Sequence, residues 1–320
     1  MKQKIIREYT KEQTKSFVKT VISERYACEV LSVKYVGGGS FGYVYKVEIP
    51  VAPYKLIVKA CRVEGMHKSE ANALKTLGEN SLIHLPIVYF TVDASDDIPM
   101  DFIVEEYVSG TDCFTDFRKL FKSKRKKQQF ADSIVEALAH WHGITNEKFG
   151  TLDNPEYDNW YDFYKPFAKD VLDTAVQMNN DGKINDRTIK TMQIAWENFG
   201  YIFSEPIRQA SLIHGDLNVM NIMSDGDLNI TAIIDPLDCK WADKEFELFQ
   251  LSNLTGNFFN LYDTYKARNS VSKNVDIKCA FYAVYQEIYC FITSGRHTEI
   301  ILKIAVNRLR KELKKAGLLR

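Results

Sequence analysis

The segment Ser211-Leu212-Ile213-His214-Gly215-Asp216-Leu217-Asn218-Val219-Met220-Asn221 carries a carboxylate at Asp216 and an amide at Asn221, and a second carboxylate follows in Ile233-Ile234-Asp235-Pro236. These residue types suit one chemistry. A carboxylate can take, or orient, the proton of an attacking hydroxyl. An amide oxygen and a second carboxylate are the oxygen ligands that Mg2+ selects. Upstream, Gly37-Gly38-Gly39-Ser40-Phe41-Gly42-Tyr43-Val44 matches G-x-G-x-x-G-x-V at every fixed position. Glycines let backbone approach phosphate oxygens closely, and their exposed N–H groups satisfy them. Gly37, Gly39, Ser40 and Gly42 are therefore candidate phosphate contacts. Lys59 stands fifteen residues after Val44, among the apolar residues of Leu56-Ile57-Val58-Lys59-Ala60. A buried ammonium is costly unless it is paired or meets an anion. Any one of these features has a bland explanation: a ligand-free glycine hairpin, an edge-strand lysine, a polar loop before a strand. The ordered set is hard to assemble by accident.

These residues need elements to position them. Residues 8–26 are polar, with Phe17, Val18, Val21 and Ile22 on one side, and predict an amphipathic helix. Leu31–Val36, Tyr43–Ile49 and Lys55–Ala60 are short and rich in Val, Ile and Tyr, the pattern of strands. Pro50–Pro53 turns the second into the third. Ser69–Leu77 reads as a helix stopped by Gly78, and Ile87–Val92 and Phe102–Val108 as two further strands. The expectation is a five-stranded antiparallel sheet with one helix inserted after the third strand. Because β-pattern rather than a helix follows the glycines, the loop is not a dinucleotide-binding turn. There is no G-K-[ST], which excludes a P-loop. After Gly110 the pattern is mainly helical: Phe130, Ile134, Leu138 and Trp141 recur at helical spacing, and Ile194–Phe203, Phe246–Leu254 and His297–Leu318 look similar. Arg118–Lys127 is a basic run, read as a solvated loop or helix start in preference to a phosphate site.

The bulk numbers narrow the class. The chain has 320 residues, 45% hydrophobic, with 42 basic and 42 acidic side chains. That is enough apolar material for a sizeable core. A neutral balance gives no field toward nucleic acid or membrane surfaces, so neither is an expected partner. The start, MKQKIIREYTKEQ, has no apolar leader segment, and no run reaches the roughly 18 apolar residues of a membrane span. Cys28, Cys61, Cys113, Cys239, Cys279 and Cys290 form no C-x-x-C pair. Reduced thiols in a cytoplasmic protein are the simplest reading.

With H-G-D-x-x-x-x-N at His214–Asn221 and I-D-P at Ile234–Pro236, the chain resembles the aminoglycoside phosphotransferase and choline kinase superfamily. Protein kinases carry H-R-D and D-F-G at the corresponding points. Ala137-Leu138-Ala139-His140-Trp141-His142-Gly143 is similar to that superfamily's A-L-A-x-L-H helix, which makes His140 and His142 structural. Trp160-Tyr161-Asp162-Phe163-Tyr164 and Asp243-Lys244-Glu245-Phe246-Glu247-Leu248 resemble the fructosamine kinase group. The group's D-R-E-x-D-L appears here with Lys244 for arginine and Glu247 for aspartate.

The resemblance implies an α+β, two-lobed protein-kinase-like fold. Residues 1–108 would form a nucleotide-binding lobe with a leading helix, and 109–320 a mainly helical catalytic and substrate-binding lobe. It implies ATP (or GTP) in the cleft, under the glycine loop. Lys59 would hold its phosphates, steadied by Glu70, with Glu64 as second choice. Asn221 and Asp235 would hold Mg2+ and Asp216 would act as the base. The backbone carbonyl of Glu106 and the N–H of Val108 would meet the adenine edge.

The implied activity is transfer of the γ-phosphoryl group to a hydroxyl of a small molecule: an amino sugar, a ketosamine, a choline-like compound or another metabolite. Asp153, Glu156, Asp158 and Asp162, laced with Tyr157, Trp160 and Tyr161, could line the acceptor site or equally cap a helix as a solvated loop. A protein kinase would need a longer segment after Asp235 than Pro236–Ala242. A non-catalytic nucleotide-binding regulator is the alternative from another class, and the full set Lys59, Asp216, Asn221 and Asp235 weighs against it. Monomer and homodimer both stay open.

Overall fold

The computed structural model describes residues 6–319. Residues 1–5, which open the stretch read as lacking a leader, lie outside the described residues. Thr10 starts α1 (Lys11–Tyr26) with a reciprocal cap. Its hydroxyl accepts from the Gln13 N–H at 3.2 Å, and Gln13 Oε1 accepts from the Thr10 N–H at 2.9 Å. That cap places the helix start three residues after the expected one. Val18, Val21 and Ile22 are buried against Tyr45, Val47, Leu56, Val58, Phe102 and Val104.

Those residues belong to the first sheet. β1 (Ser32–Gly38), β2 (Gly42–Glu48) and β3 (Lys55–Cys61) run antiparallel, then α2 (Met66–Glu79) intervenes before β4 (Val88–Val92) and β5 (Asp101–Glu106). The sheet order is β1-β2-β3-β5-β4. This is the expected five-stranded sheet with one inserted helix. Gly78 does not stop α2: the helix runs through it and ends at Asn80. There the backbone N–H bonds the Leu77 carbonyl at 3.1 Å and the side-chain amide bonds the Thr76 carbonyl at 3.0 Å. An isolated glycine costs a helix about 1 kcal/mol, less than the burial of Leu74 and Leu77 in the main core returns.

The second lobe is mainly helical, built on α3 (Lys124–Gly143), α4 (Trp160–Asn180), α5 (Asp186–Glu197), α6 (Phe199–Ile202), α7 (Leu248–Leu251), α8 (Leu254–Asn257), α9 (Leu261–Arg268), α10 (Val275–Ser294) and α11 (Glu299–Lys315). Two of the expected helices are broken. Asn198 separates α5 from α6, and Phe246–Leu254 spans the end of a 3-10 turn, α7 and the start of α8. The lobe also holds a second sheet. It comprises β6 (Thr145–Asn146), β7 (Phe149–Thr151), β8 (Pro155–Tyr157), β9 (Ala210–Ile213) and, after the hairpin β10 (Ile222–Ser224) with β11 (Ile230–Ile233), β12 (Lys240–Ala242). Strands this short carry no readable alternation.

Two corrections concern polar stretches. The basic run Arg118–Lys127 is not uniformly solvated. Lys119 is fully buried and donates to Thr111 O at 2.6 Å, Thr111 Oγ1 at 2.8 Å, Ser224 O at 2.7 Å and Ser224 Oγ at 3.0 Å. In the acidic, aromatic stretch, Trp160 is also fully buried. It donates to the Tyr282 hydroxyl at 2.8 Å and stacks on Tyr164, so its ring is core and unavailable to a ligand. All six cysteines are free thiols. Among the described residues, no helix is long and apolar enough to cross a membrane.

Candidate active site

The glycine loop is the turn between β1 and β2, closed by the Gly39 N–H donating to the Gly42 carbonyl at 3.1 Å. Two of its glycines are required by contact. A Cβ on Gly38, at φ +151°, would lie 2.5 Å from Gly42 O, and one on Gly42 would lie 2.6 Å from Ala60 O. Gly37 and Gly39 face open space, where backbone can approach a ligand. Sequence reasoning did not foresee the loop's anchor, Arg62. Its fully buried guanidinium donates to the Ser40 carbonyl and pairs with Glu8, and its backbone N–H donates to Phe41 O at 2.7 Å. Glu8 in turn meets Arg296 at 3.2 Å.

Lys59 sits in the middle of the sheet, opposite Val44 on β2 and Ile103 on β5. Its ammonium is paired with Glu70 of α2 and with Asp235, and Glu105 Oε1 lies 3.1 Å away. Burial works against the charge, but Asp235, Glu105 and Glu70 outweigh it and hold the Lys59 pKa well above its ordinary value. Burial raises both Glu70 and Glu105, the latter to about 8. Glu64, the second choice for the lysine's partner, instead faces Arg7 at 3.7 Å.

Asp216 lies on the loop between β9 and a 3-10 turn, Val219–Asn221. Gly215 makes the bend at φ +83°, where a Cβ would fall 2.1 Å from Asp238 O. Glu247, fully buried, accepts the backbone N–H groups of His214 at 3.1 Å and Gly215 at 2.8 Å. His214 is scaffold: Nε2 donates to Ile234 O at 3.1 Å and Nδ1 accepts the Asp216 N–H at 3.3 Å. Burial lowers its pKa, consistent with that neutral tautomer. Three amides reach the Asp216 carboxylate: Gln250 Nε2 to Oδ1 at 2.6 Å, Asn218 Nδ2 to Oδ1 at 3.1 Å and Asn221 Nδ2 to Oδ2 at 3.2 Å. Burial pushes the Asp216 pKa up to about 8; the Asn218 and Asn221 bonds oppose the rise, while Asp235 and Asp238 add to it.

Asp235 follows β11 at φ +59°, a left-handed backbone that aspartate tolerates better than most residues. The Ile234 N–H donates to the Asn221 carbonyl at 2.9 Å, which ties the Asp235 loop to the Asp216 loop. The Asn221 Nδ2 also donates to Asp216 O at 2.8 Å, so its Oδ1 is the end left for a cation. The donor set fits Mg2+: only oxygens are offered, and Asp216, Asp235, Glu70 and Glu105 outnumber the single ammonium of Lys59 between them.

Glu106 and Val108, the residues expected at the adenine edge, stand at and just beyond the end of β5. The Glu106 N–H donates to Ile87 O at 2.8 Å, and its carboxylate meets His84 at 2.8 Å. The strand ends at Glu106, so Tyr107 and Val108 lie beyond it.

The fructosamine kinase family model matches residues 11–298. The chain belongs to the fructosamine kinase family. It is accordingly a phosphotransferase whose acceptor group is an alcohol of a small molecule. A Haemophilus somnus protein assigned as a fructosamine-3-kinase superposes with a TM-score of 0.65 at 17% identity, over 92% of this chain and 96% of that one. A thermostable mutant of aminoglycoside phosphotransferase APH(4)-Ia, in complex with ADP and hygromycin B, gives 0.70 at 12% identity, over 94% and 99%. The GDP complex of aminoglycoside 2'-phosphotransferase-IIIa gives 0.65 at 14% identity, over 95% and 100%. These superpositions establish the kinase-like fold. No curated protein sequence matches the chain significantly.

Sequence reasoning missed Glu105, Glu247 and Gln250. Glu105 was legible in principle: it lies two residues beyond Ile103, on the face of β5 that Lys59 shares across the pair. Glu247 occupies the aspartate position of the D-R-E-x-D-L tail, and Gln250 follows one helical turn later. No single-sequence signal announces that the tail returns to the Asp216 loop.

Proposed function

We propose that this fructosamine kinase family member binds ATP, or GTP, in the cleft and transfers its γ-phosphoryl group to a hydroxyl of a ketosamine. The observation that carries the reading is the arrangement of two clusters joined at Asp235. Lys59, Glu70 and Asp235 form one, Asp216 and Asn221 the other, and the Ile234–Asn221 hydrogen bond links them. The backbone N–H groups of Gly37–Gly42 receive the phosphates. Lys59 leaves Asp235 for the phosphate oxygens and keeps Glu70. Asn221 and Asp235 would hold Mg2+, which would supply charge neutralisation on the phosphate oxygens. Asp216 takes the acceptor's proton as the oxygen–γ-phosphorus bond forms, and the bond to the β-phosphate oxygen breaks with its electron pair leaving on the diphosphate. The backbone of Glu106 and Val108 holds the base.

The family membership favours a ketosamine over an aminoglycoside, choline or a simple sugar. A screen of purified protein with Mg-ATP and Mg-GTP against fructosyl-lysine, aminoglycosides, choline and free sugars tests this. The expected result is diphosphate release with a gain of one phosphoryl group on fructosyl-lysine. Nucleotide binding with no transfer to any acceptor and no hydrolysis would instead support a non-catalytic regulator.

A further inference from the structure

Gln250 lies on α7, one helical turn beyond Glu247, so both side chains leave the same face of the segment. That face meets the Asp216 loop at two points. Glu247 holds the backbone of His214 and Gly215, and Gln250 Nε2 reaches Asp216 Oδ1 at 2.6 Å. The orientation of the Gln250 amide is set from both ends. In its ionised, proton-accepting form the Asp216 carboxylate accepts only, so it faces the NH2 group. At the other end, Asn253 Nδ2 donates to Gln250 Oε1 at 3.3 Å.

The other two amides on Asp216 have further duties. Asn218 Oδ1 accepts the Met220 N–H at 2.9 Å and caps the following turn. Asn221 Nδ2 also binds the Asp216 carbonyl at 2.8 Å. The Gln250 amide nitrogen donates to Asp216 alone among the described residues. Oδ1 of Asp216 therefore carries two donors, one of them short, while Oδ2 carries a single longer one.

We propose that Gln250 is a positioning residue that fixes the rotamer of Asp216, occupying Oδ1 so that Oδ2 is the oxygen that takes the acceptor's proton. The proposal rests on Asp216 acting as the base. It gives the Asn253–Gln250–Asp216 chain a role in turnover and none in nucleotide binding. Orientation effects of this kind act on kcat, because a small misplacement of a reacting group reaches the transition state directly.

Gln250→Met keeps the side-chain length and removes the donor. With fructosyl-lysine as the probe acceptor, kcat is expected to fall on the order of tenfold, while KM for Mg-ATP, Mg-ADP affinity and the unfolding midpoint stay at wild-type values. Asn253→Ser keeps an oxygen for the α8 cap and should show a smaller loss of the same kind. In an Asp216→Asn background Gln250→Met should cost nothing further, because residues acting as a unit are not additive. A crystal structure of Gln250→Met should show the Asp216 carboxylate rotated or split between conformers. Unchanged kcat with an unmoved Asp216 would overturn the proposal, as would a loss that persists in full on top of Asp216→Asn or that comes with an equal loss of Mg-ADP affinity. Wild-type turnover by Asp216→Asn alone would point elsewhere, removing the base assignment.

Discussion

Glu105 Oε1 stands 3.1 Å from Lys59 Nζ and makes a third carboxylate, with Glu70 and Asp235, around one ammonium. Among the described residues only the lysine compensates these acids, and both Glu70 and Glu105 are nearly inaccessible. Removing a partner from such a cluster leaves uncompensated buried charge, at a cost of about 3–5 kcal/mol. Lys59→Met should therefore destabilise the nucleotide-free protein by about that much, and Glu105→Gln by far less, because the amide still fills the site. Urea unfolding at neutral pH checks the order; equal losses would mean that the charge balance does not govern the site.

Asp216 and Asp235 should separate on mutation. Asp216→Asn is expected to lower turnover by about a thousandfold or more while Mg-ADP still binds, in line with loss of a proton acceptor. Asp235→Ala should raise metal-free nucleotide affinity if anything, because Lys59 no longer has to leave Asp235, and weaken its Mg2+-dependent part about tenfold or more. Calorimetry with and without Mg2+ separates the two effects. An unchanged Mg-ADP affinity in Asp235→Ala would count against its role as a ligand.

Glu287, on α10, makes no hydrogen bond or ion pair among the described residues, and burial alone raises its pKa to about 7 from the usual 4.5. The folded chain thus binds a proton there that the unfolded chain has lost. The stabilisation is complete below the unfolded value and is lost as pH rises from about 4.5 through about 7. Since the side chain is partly accessible, the change is about 1–2 kcal/mol, below the full linkage value. Glu287→Gln should be near neutral at pH 4.5 and stabilising at pH 8, as thermal unfolding at both values would show.

Lys119 answers four oxygens from Thr111 and Ser224, on the segment after β5 and on β10. Lys119→Met removes every donor and leaves two carbonyls and two hydroxyls under-satisfied. A loss of about 2–4 kcal/mol is expected. Faster amide exchange at Thr111, whose N–H pairs with Ser224 O at 3.0 Å, would localise the damage. Wild-type exchange there would show that the backbone bridge holds without the lysine.

The first sheet, its inserted helix and the set Lys59, Glu70, Asp216, Asn221 and Asp235 were legible because each depends on local pattern. Alternating Val, Ile and Tyr marks strands, and the fixed spacing in H-G-D-x-x-x-x-N marks a loop. Other features were not. Gly78 reads as a stop, yet tertiary burial of Leu74 and Leu77 carries the helix past it. The second sheet escaped notice because its strands are two to four residues long. Trp160 reads as a stacking surface in an acidic loop, yet the aromatic cluster with Tyr164, Phe246 and Tyr282 takes it into the core. Glu247 and Gln250 belong to the same kind: contacts more than thirty residues away along the chain leave no periodic trace.

Arg62 gives the beginning of the chain a stake in the glycine loop. Its guanidinium touches the Ser40 carbonyl on one side and Glu8 on the other, and Glu8 reaches across to Arg296 in the second lobe. A deletion up to Lys11, or a bulky fusion that displaces Glu8, would strand a fully buried cation directly beneath that turn and cut a tether between the lobes. Trimmed at its front end, the protein would keep every residue proposed for chemistry and still lose the posture of the loop above them.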